Sequence, residues 1–303
     1  MNLTMQANES APVKAWVFLI SLACIWGASF LLMKKGLLAF RPDQVAAIRM
    51  ASAGFVLLPF ILHRLRQVRR HHWPLLFSVG AIGSLIPAFL FAFAQTELPS
   101  GVTGVLNTFT PLATLIIGVT LYQQVVRPQQ WLGILLGLVG TILLITASAT
   151  GEFSFNSYGL LIIVATICYG LNLNVIKHKI HDLGALTITG VSLALMAPPS
   201  LIYLFVATPV TTQVQDIQFF WSLSAILTLG IVGTAAALIL LNTIVKLTDT
   251  TFTSSVTYLI PIIALILGVI DGEPFFLQHA IGLCAILMGV WIANKRARKS
   301  PTQ

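Results

Sequence analysis

Two segments of this chain each carry an aromatic side chain three residues ahead of a hydrogen-bonding one: Trp26 with Ser29, and Tyr169 with Asn172. On a helix, residues three apart share a face. Such a face recognises a ligand rather than reacting with it. The ring offers area and cation–π capacity, and the polar group fixes orientation, which suits a small amphiphile. The alternative is helix packing with an interfacial tryptophan. A second pair of candidate sites surrounds two prolines. Thr103, Asn107, Thr110 and Thr114 follow helical spacing around Pro111, and Thr253 and Thr257 precede Pro261. A proline within a helix frees a carbonyl one turn earlier, here near Asn107 and Thr257. Each is thus a candidate polar site beside a hinge. For the threonines alone, hydroxyls bonded back to their own helix are the plainer reading. The substrate-binding candidates are Trp26, Ser29, Asn107, Thr110, Tyr169, Asn172 and Thr257, with Pro111 and Pro261 as hinges. Asn174 and Asn242 are weaker candidates.

Catalytic chemistry has no foothold here. The apolar segments hold no Ser/Lys pair, paired aspartates or histidine cluster. His63, His71, His72, His178, His181 and His279 fall in loops or at helix ends without metal-ligand spacing, and are read as solvated. No glycine-rich phosphate loop is present, so ATP is not the direct energy source, and no cofactor or metal is expected. Cys24, Cys168 and Cys284 lie in apolar runs with no disulfide or metal spacing, and are read as small packing residues.

The elements that carry these residues follow from composition. Of 303 residues, 57% are hydrophobic and 9% are charged, with a mean hydropathy of +0.92. A soluble domain carries roughly a quarter charged residues. This balance excludes a soluble enzyme, a disordered chain and a nucleic-acid-binding domain. A spanning helix needs about 20 apolar residues, so the chain has room for about ten. Apolar segments lie at 14–33, 43–62, 73–94, 98–120, 129–148, 157–176, 184–206, 219–243, 251–270 and 275–294, with polar or proline-bearing breaks between them. The first follows Lys14 and runs on without a small-residue cleavage site, so it is read as a retained span.

The net charge of +8 reads as topology. With the N-terminus cytoplasmic, one side holds Lys14, Arg64, Arg66, Arg69, Arg70, Arg127, Lys177, Lys179, Lys246, Lys295, Arg296, Arg298 and Lys299. The other side holds Lys34, Lys35 and Arg41. That bias places both tails, 1–13 and 295–303, in the cytoplasm. The basic run at 63–72 is suited to anionic lipid rather than nucleic acid.

The chain also repeats itself. At an offset of 143, Trp26, Gly27, Ser29 and Lys34 fall on Tyr169, Gly170, Asn172 and Lys177. At an offset of 150, Gly80, Gly83, Ser84, Pro111 and Gly118 fall on Gly230, Gly233, Thr234, Pro261 and Gly268. Gly133 and Gly140 match Gly282 and Gly289 at an offset of 149. The halves are 14–148 and 157–294. Five spans per half is odd, so the second half enters the membrane inverted. Inverted repeats can exchange conformations around a midplane site, which favours a transporter over a membrane enzyme or receptor.

The IWGASF segment (Ile25 to Phe30), Arg49 in the second segment, NTFTPL (Asn107 to Leu112), TYLIPI (Thr257 to Ile262) and the GEP turn (Gly272 to Pro274) resemble the EamA-type branch of the drug/metabolite transporter superfamily. The resemblance covers nearly the whole chain. It implies two EamA repeats of an all-α integral membrane protein and secondary transport of small metabolites, often export. It also implies a Glu before the last helix of each half. Glu273 fits, whereas Gln123 and Gln124 stand in the first half.

Arg49 is the ionisable group deepest in a segment, about 10 Å from the start of the second helix at 1.5 Å per residue. It can snorkel, bond neighbouring carbonyls, or pair with a substrate carboxylate. The resemblance implies an Arg here irrespective of substrate, which favours a structural role. Lys34 and Lys177, at helix ends, are read as interface anchors. No Asp or Glu lies centrally in a segment, so exchange, facilitated diffusion or coupling through an edge carboxylate is expected over a midplane relay. Gly133, Gly137 and Gly140, with Gly282, Ala285 and Gly289, predict close packing of the fifth and tenth helices. Dimerisation is the other use of such a face, and a monomer is favoured. The expected cargo is an amino acid or similar amphiphile, moved outward across the inner membrane. An uptake permease of the same fold is the nearest rival.

Overall fold

The computed structural model describes residues 12–125, 127–146, 156–180, 182–208, 210, 217–248, 253 and 256–294. Among them are helices and turns but no strand. Eight helices are long and apolar enough to cross a membrane: α1 Val13–Gly36, α2 Pro42–Gln67, α3 His72–Ala94, α4 Ser100–Tyr122, α5 Pro128–Thr146, α6 Tyr158–Lys179, α7 Ala185–Val206 and α8 Ile217–Val245. Two shorter apolar helices follow, α9 Val256–Ile270 and α10 Leu277–Asn294. Each expected apolar segment is helical over its described part. His181, Asp216, Asp249, most of 249–255 and the tails 1–11 and 295–303 lie outside the described residues, as do the side chains of Asn242 and Lys246.

Four helices depart from α geometry: α2 ends in a 3-10 stretch at Leu62–Gln67, and in three others small residues or proline mark the places. α3 passes through a π-helical stretch at Ala81–Leu85, and α8 does so at Ile231–Ala236. A π stretch accommodates an extra residue and frees a carbonyl. In α8 the Thr234 hydroxyl donates to that of Leu229 at 3.1 Å. α4 tightens into a 3-10 turn at Asn107–Phe109, just ahead of Pro111. The proline removes the N–H that would have met the Asn107 carbonyl, and the Thr110 hydroxyl donates to that carbonyl instead, at 2.8 Å. Pro261, by contrast, sits inside a continuous α9.

The packing has an internal regularity. α1 lies against α9 and α8, and α6 lies against α4 and α3. α2 packs on α7, and α5 on α10. Exchanging α1–α5 with α6–α10 maps this set of pairs onto itself. The α5–α10 pair is as close as its glycines permit. A Cβ on Gly133 would lie 2.5 Å from the Gly289 carbonyl oxygen, and one on Gly289 would lie 2.6 Å from that of Gly133. Leu135, Leu138, Val139 and Ile142 on α5 are exposed, as expected of a helix whose outer face meets lipid. Cys24 and Cys284 are likewise exposed, which corrects their reading as packing residues.

Helix starts are finished by side chains that reach back to the chain just before them. Gln44, His72, Gln130 and His279 accept the backbone N–H of Arg41, Arg69, Arg127 and Phe276. His72 and His279 are therefore buried, at 1% and 3% exposure, and not solvated as the sequence suggested. With its Nδ1 accepting from Arg69, His72 carries its proton on Nε2 and donates to Asp182 at 3.0 Å. His71, His72 and Asp182 lie close together in space, but both ring nitrogens of His72 are already engaged.

Candidate functional site

Two of the candidate residues, Ser29 and Asn172, meet the two π stretches. Ser29 is 8% exposed and its hydroxyl donates to the Ile25 carbonyl at 2.9 Å. It presses on Gly233 of α8, where a Cβ would lie 2.9 Å from the Ser29 oxygen. Its repeat mate Asn172 presses on Gly83 of α3, where a Cβ would lie 2.3 Å from Nδ2. Each π stretch thus offers a bare glycine to the mate residue of the opposite half. Ser29 has spent its donor on its own helix, so its role is close packing. The Asn172 Oδ1, in contrast, is buried without a partner.

Between these contacts runs a row of rings. Tyr169 stacks on Phe91, with centroids 6.1 Å apart and planes 27° apart. Phe91 meets Phe30 at 6.0 Å. Phe30 lies one turn beyond Trp26 on α1, so Trp26 extends the same face. Spacing alone did not single out Phe30 and Phe91, because their partner is on another helix.

Arg49 enters from α2. Its Nε donates to the Thr234 hydroxyl at 3.3 Å, and Tyr169 lies within electrostatic reach. Arg49, Thr234, Trp26 and Tyr169 all keep part of their surface accessible despite lying in mid-helix among packed neighbours. Asn107 and Thr110 hydrogen-bond each other at the break in α4 and form a separate polar point. Thr257 is partly exposed on α9. Asn174 serves as a clamp: its Nδ2 donates to the Thr114 and Gly170 carbonyls at 2.9 Å each, tying α6 to α4. Thr103 and Thr114 bond back to their own helix, as the plainer reading held.

A second polar cluster closes one end of the bundle. Glu273 accepts Lys34 Nζ at 2.8 Å, the Ser100 N–H at 2.8 Å and the Gly101 N–H at 2.9 Å. Lys34 also reaches Asp271 at 2.8 Å, and Lys35 pairs with Asp271. The clasp joins the end of α1, the start of α4 and the turn from α9 to α10. Lys34 is therefore an ion-pair partner rather than only an interface anchor. Burial pulls the Glu273 carboxyl upward, but the Gly101 N–H, the Lys34 ammonium and the Ser100 N–H outweigh it and hold it below the usual range. Hydrogen bonds from Lys34 and Lys35 lower Asp271. Gly272 allows the turn with φ of 84°. In the first half Gln123 takes φ of 51°, and the Gln124 N–H bonds the Gly118 carbonyl much as the Glu273 N–H bonds that of Gly268. Gln124 thus fills the place of Glu273 as a neutral side chain, and it donates to Asn174 at 3.4 Å. A shallow depression beside the clasp is lined by Val102, Val105, Leu265, Val269 and His279, apart from the Arg49 group.

A chain whose described residues are helical, with eight span-length helices among them, has the build of a multi-pass membrane protein. The EamA-like transporter family matches residues 14–146 and again 156–295, and the chain belongs to that family. It is a transporter of the inner membrane rather than an enzyme. Among its relatives is the uncharacterized inner membrane transporter YedA of Escherichia coli K12, 26% identical over 90% of this chain and 88% of that one. Protein PecM of Dickeya dadantii is 26% identical over 88% and 85%. A probable amino-acid metabolite efflux pump of Salmonella typhimurium is 26% identical over 52% of this chain and 50% of its own. One crystal structure of a protein superposes with a TM-score of 0.62 over 93% of this chain and 96% of that chain at 21% identity, a likeness of fold.

Proposed function

We propose that the protein exports small amphipathic metabolites, amino acids or their like, by alternating access between two inverted five-helix repeats with both tails cytoplasmic. The observation that carries this reading is the set of partly accessible Trp26, Tyr169 and Arg49 within the spans, backed by the buried rings Phe91 and Phe30. It gives a solute both apolar area and a polar anchor, deep where a bilayer would otherwise exclude it. The mutual mapping of the helix pairs supports the exchange of the two halves. The printed name of the Salmonella relative supports outward movement of amino-acid metabolites. Glu273 stands at an end of the bundle rather than in mid-span, which fits exchange or facilitated diffusion better than a midplane proton relay.

The test is accelerated counterflow of a panel of labelled amino acids in proteoliposomes, paired with right-side-out and inverted vesicles. Saturable counterflow with net movement out of the cytoplasmic side is expected. Uphill uptake in right-side-out vesicles would instead establish an uptake permease.

A further inference from the structure

Arg49 carries more capacity than its contacts use. A guanidinium has five N–H donors. Among the described residues its side chain makes one hydrogen bond, to a neutral hydroxyl, Thr234. Lys34, Lys35 and Arg41 each meet a carboxylate; among the described residues Arg49 meets none, and unlike Lys14, Arg64, Arg66 and Lys177, which also meet none, it lies well inside a helix. A charge held deep in a span without a counter-charge is costly, so its retention calls for a purpose.

The molecule contains its own control for a packing role. The Arg49 carbonyl oxygen rests on Gly230 of α8, 2.8 Å from where a Cβ would be. In the other half the Ser192 carbonyl oxygen rests on Gly80 of α3 at 2.5 Å in the same way. Gly80 and Gly230 are repeat mates, so Arg49 and Ser192 hold equivalent places. The second half achieves the same helix contact with a small neutral side chain. Helix packing therefore does not require the cation.

We infer that Arg49 is the anion-recognition point of the transported solute, and that the site takes a small monocarboxylate with an apolar or aromatic body. The inference rests on the transport reading above and names its substrate class. The carboxylate engages the free fork of the guanidinium, an arrangement that planar bidentate geometry favours. The Thr234 hydroxyl bonds the same group, and Tyr169 lies within electrostatic reach of it. The body of the solute lies against the partly accessible rings of Tyr169 and Trp26, with the buried Phe91 and Phe30 packed behind Tyr169. A phosphate dianion would call for further cations, and no Lys or other Arg lies in mid-helix beside Arg49.

The test uses matched probes that differ only in charge: phenylacetate against phenylacetamide, and L-leucine against L-leucinamide. Two readouts are run on the full chain, thermal shift in detergent and counterflow in proteoliposomes, for wild type, Arg49→Gln, Arg49→Lys and Ser192→Ala. Wild type should prefer each acid over its amide by at least about tenfold, the scale of one charge-assisted hydrogen bond. Arg49→Gln should erase that preference by weakening the acids about tenfold to a hundredfold while leaving the amides near wild type. Arg49→Lys should retain part of it, and Ser192→Ala should keep it. Equal handling of acid and amide by wild type in both readouts overturns the inference, whatever the variants do. So does a preference that survives Arg49→Gln. Counterflow of acid and amide alike would overturn it while leaving transport intact. Acid-selective, Arg49-dependent thermal shifts without any counterflow would sustain it and sink the transport reading.

Discussion

Replacing Glu273 with Gln probes the clasp with little change in shape. The carboxylate takes three donors, Lys34 Nζ and the Ser100 N–H on one oxygen and the Gly101 N–H on the other. Glutamine retains one acceptor oxygen. In its best orientation that oxygen keeps Lys34 and Ser100, and the amide group is left facing the Gly101 N–H. The change loses one charge-assisted hydrogen bond, worth about 1.5–3 kcal/mol. It also weakens an ion pair that is half-exposed on the Lys34 side and so worth about 0.2–1 kcal/mol. A net loss of about 2–3 kcal/mol corresponds to a fall in Tm of roughly 3–5 °C for a chain of this size. Glu273→Ala strands all three donors and should cost more. The assay is thermal unfolding in detergent followed by tryptophan emission, with Lys34→Met and the double variant completing a cycle. The singles should be less than additive, because they share one interaction. A Glu273→Gln protein that melts within 1 °C of wild type, with no coupling to Lys34, would refute the reasoning.

Three other outcomes follow from the same contacts. Glu273 and Asp271 are held below their ordinary values of 4.5 and 3.8. Their contribution to stability is therefore full above about pH 5 and lost as pH falls through those values toward the folded-state ones; melting scans from pH 7 to pH 3.5 should show the drop, and Glu273→Gln should flatten part of it. Gly289→Ala drives a methyl to 2.6 Å from the Gly133 carbonyl oxygen, and overpacking of that kind costs about 1–3 kcal/mol. Gly184→Ala, with nothing within 4 Å, should melt like wild type in the same assay, and equal melting of the two variants would argue against a tight α5–α10 contact. Asn174→Ala strands the Thr114 and Gly170 carbonyls of their side-chain donor and should lower Tm by a few degrees; an unchanged Tm would show that the clamp carries little.

The elements were largely legible in the sequence, and the reasons are local. Apolar runs of span length, polar breaks and the glycine stripe at 133–140 and 282–289 are properties of contiguous residues, and α5 does meet α10. Pro111 marked the break in α4 because the missing N–H acts one turn away. What stayed hidden was set by distance along the chain. Lys34 and Glu273 are 239 positions apart, and nothing in either neighbourhood names the other. Thr234 as partner of Arg49 depends on a π stretch that realigns one turn of α8. The repeat exposed Gly83 and Gly233 as mates, yet small residues alone do not distinguish a π stretch from a packing groove. The histidines misled because end positions read as wet, whereas His72 and His279 turn inward to cap their own helices.

In the proposed transport path a solute passes Tyr169, Trp26 and Arg49, all partly accessible within the spans. Counterflow kinetics of wild type against Tyr169→Ala test it most directly. The variant removes the ring stacked on Phe91 and a hydroxyl within electrostatic reach of Arg49, and an aromatic contact is worth about 0.5–1.5 kcal/mol beyond its area. A loss of kcat/KM of about two- to tenfold is expected, in protein that reconstitutes and melts normally. Unchanged kinetics in a well-folded Tyr169→Ala protein would contradict it.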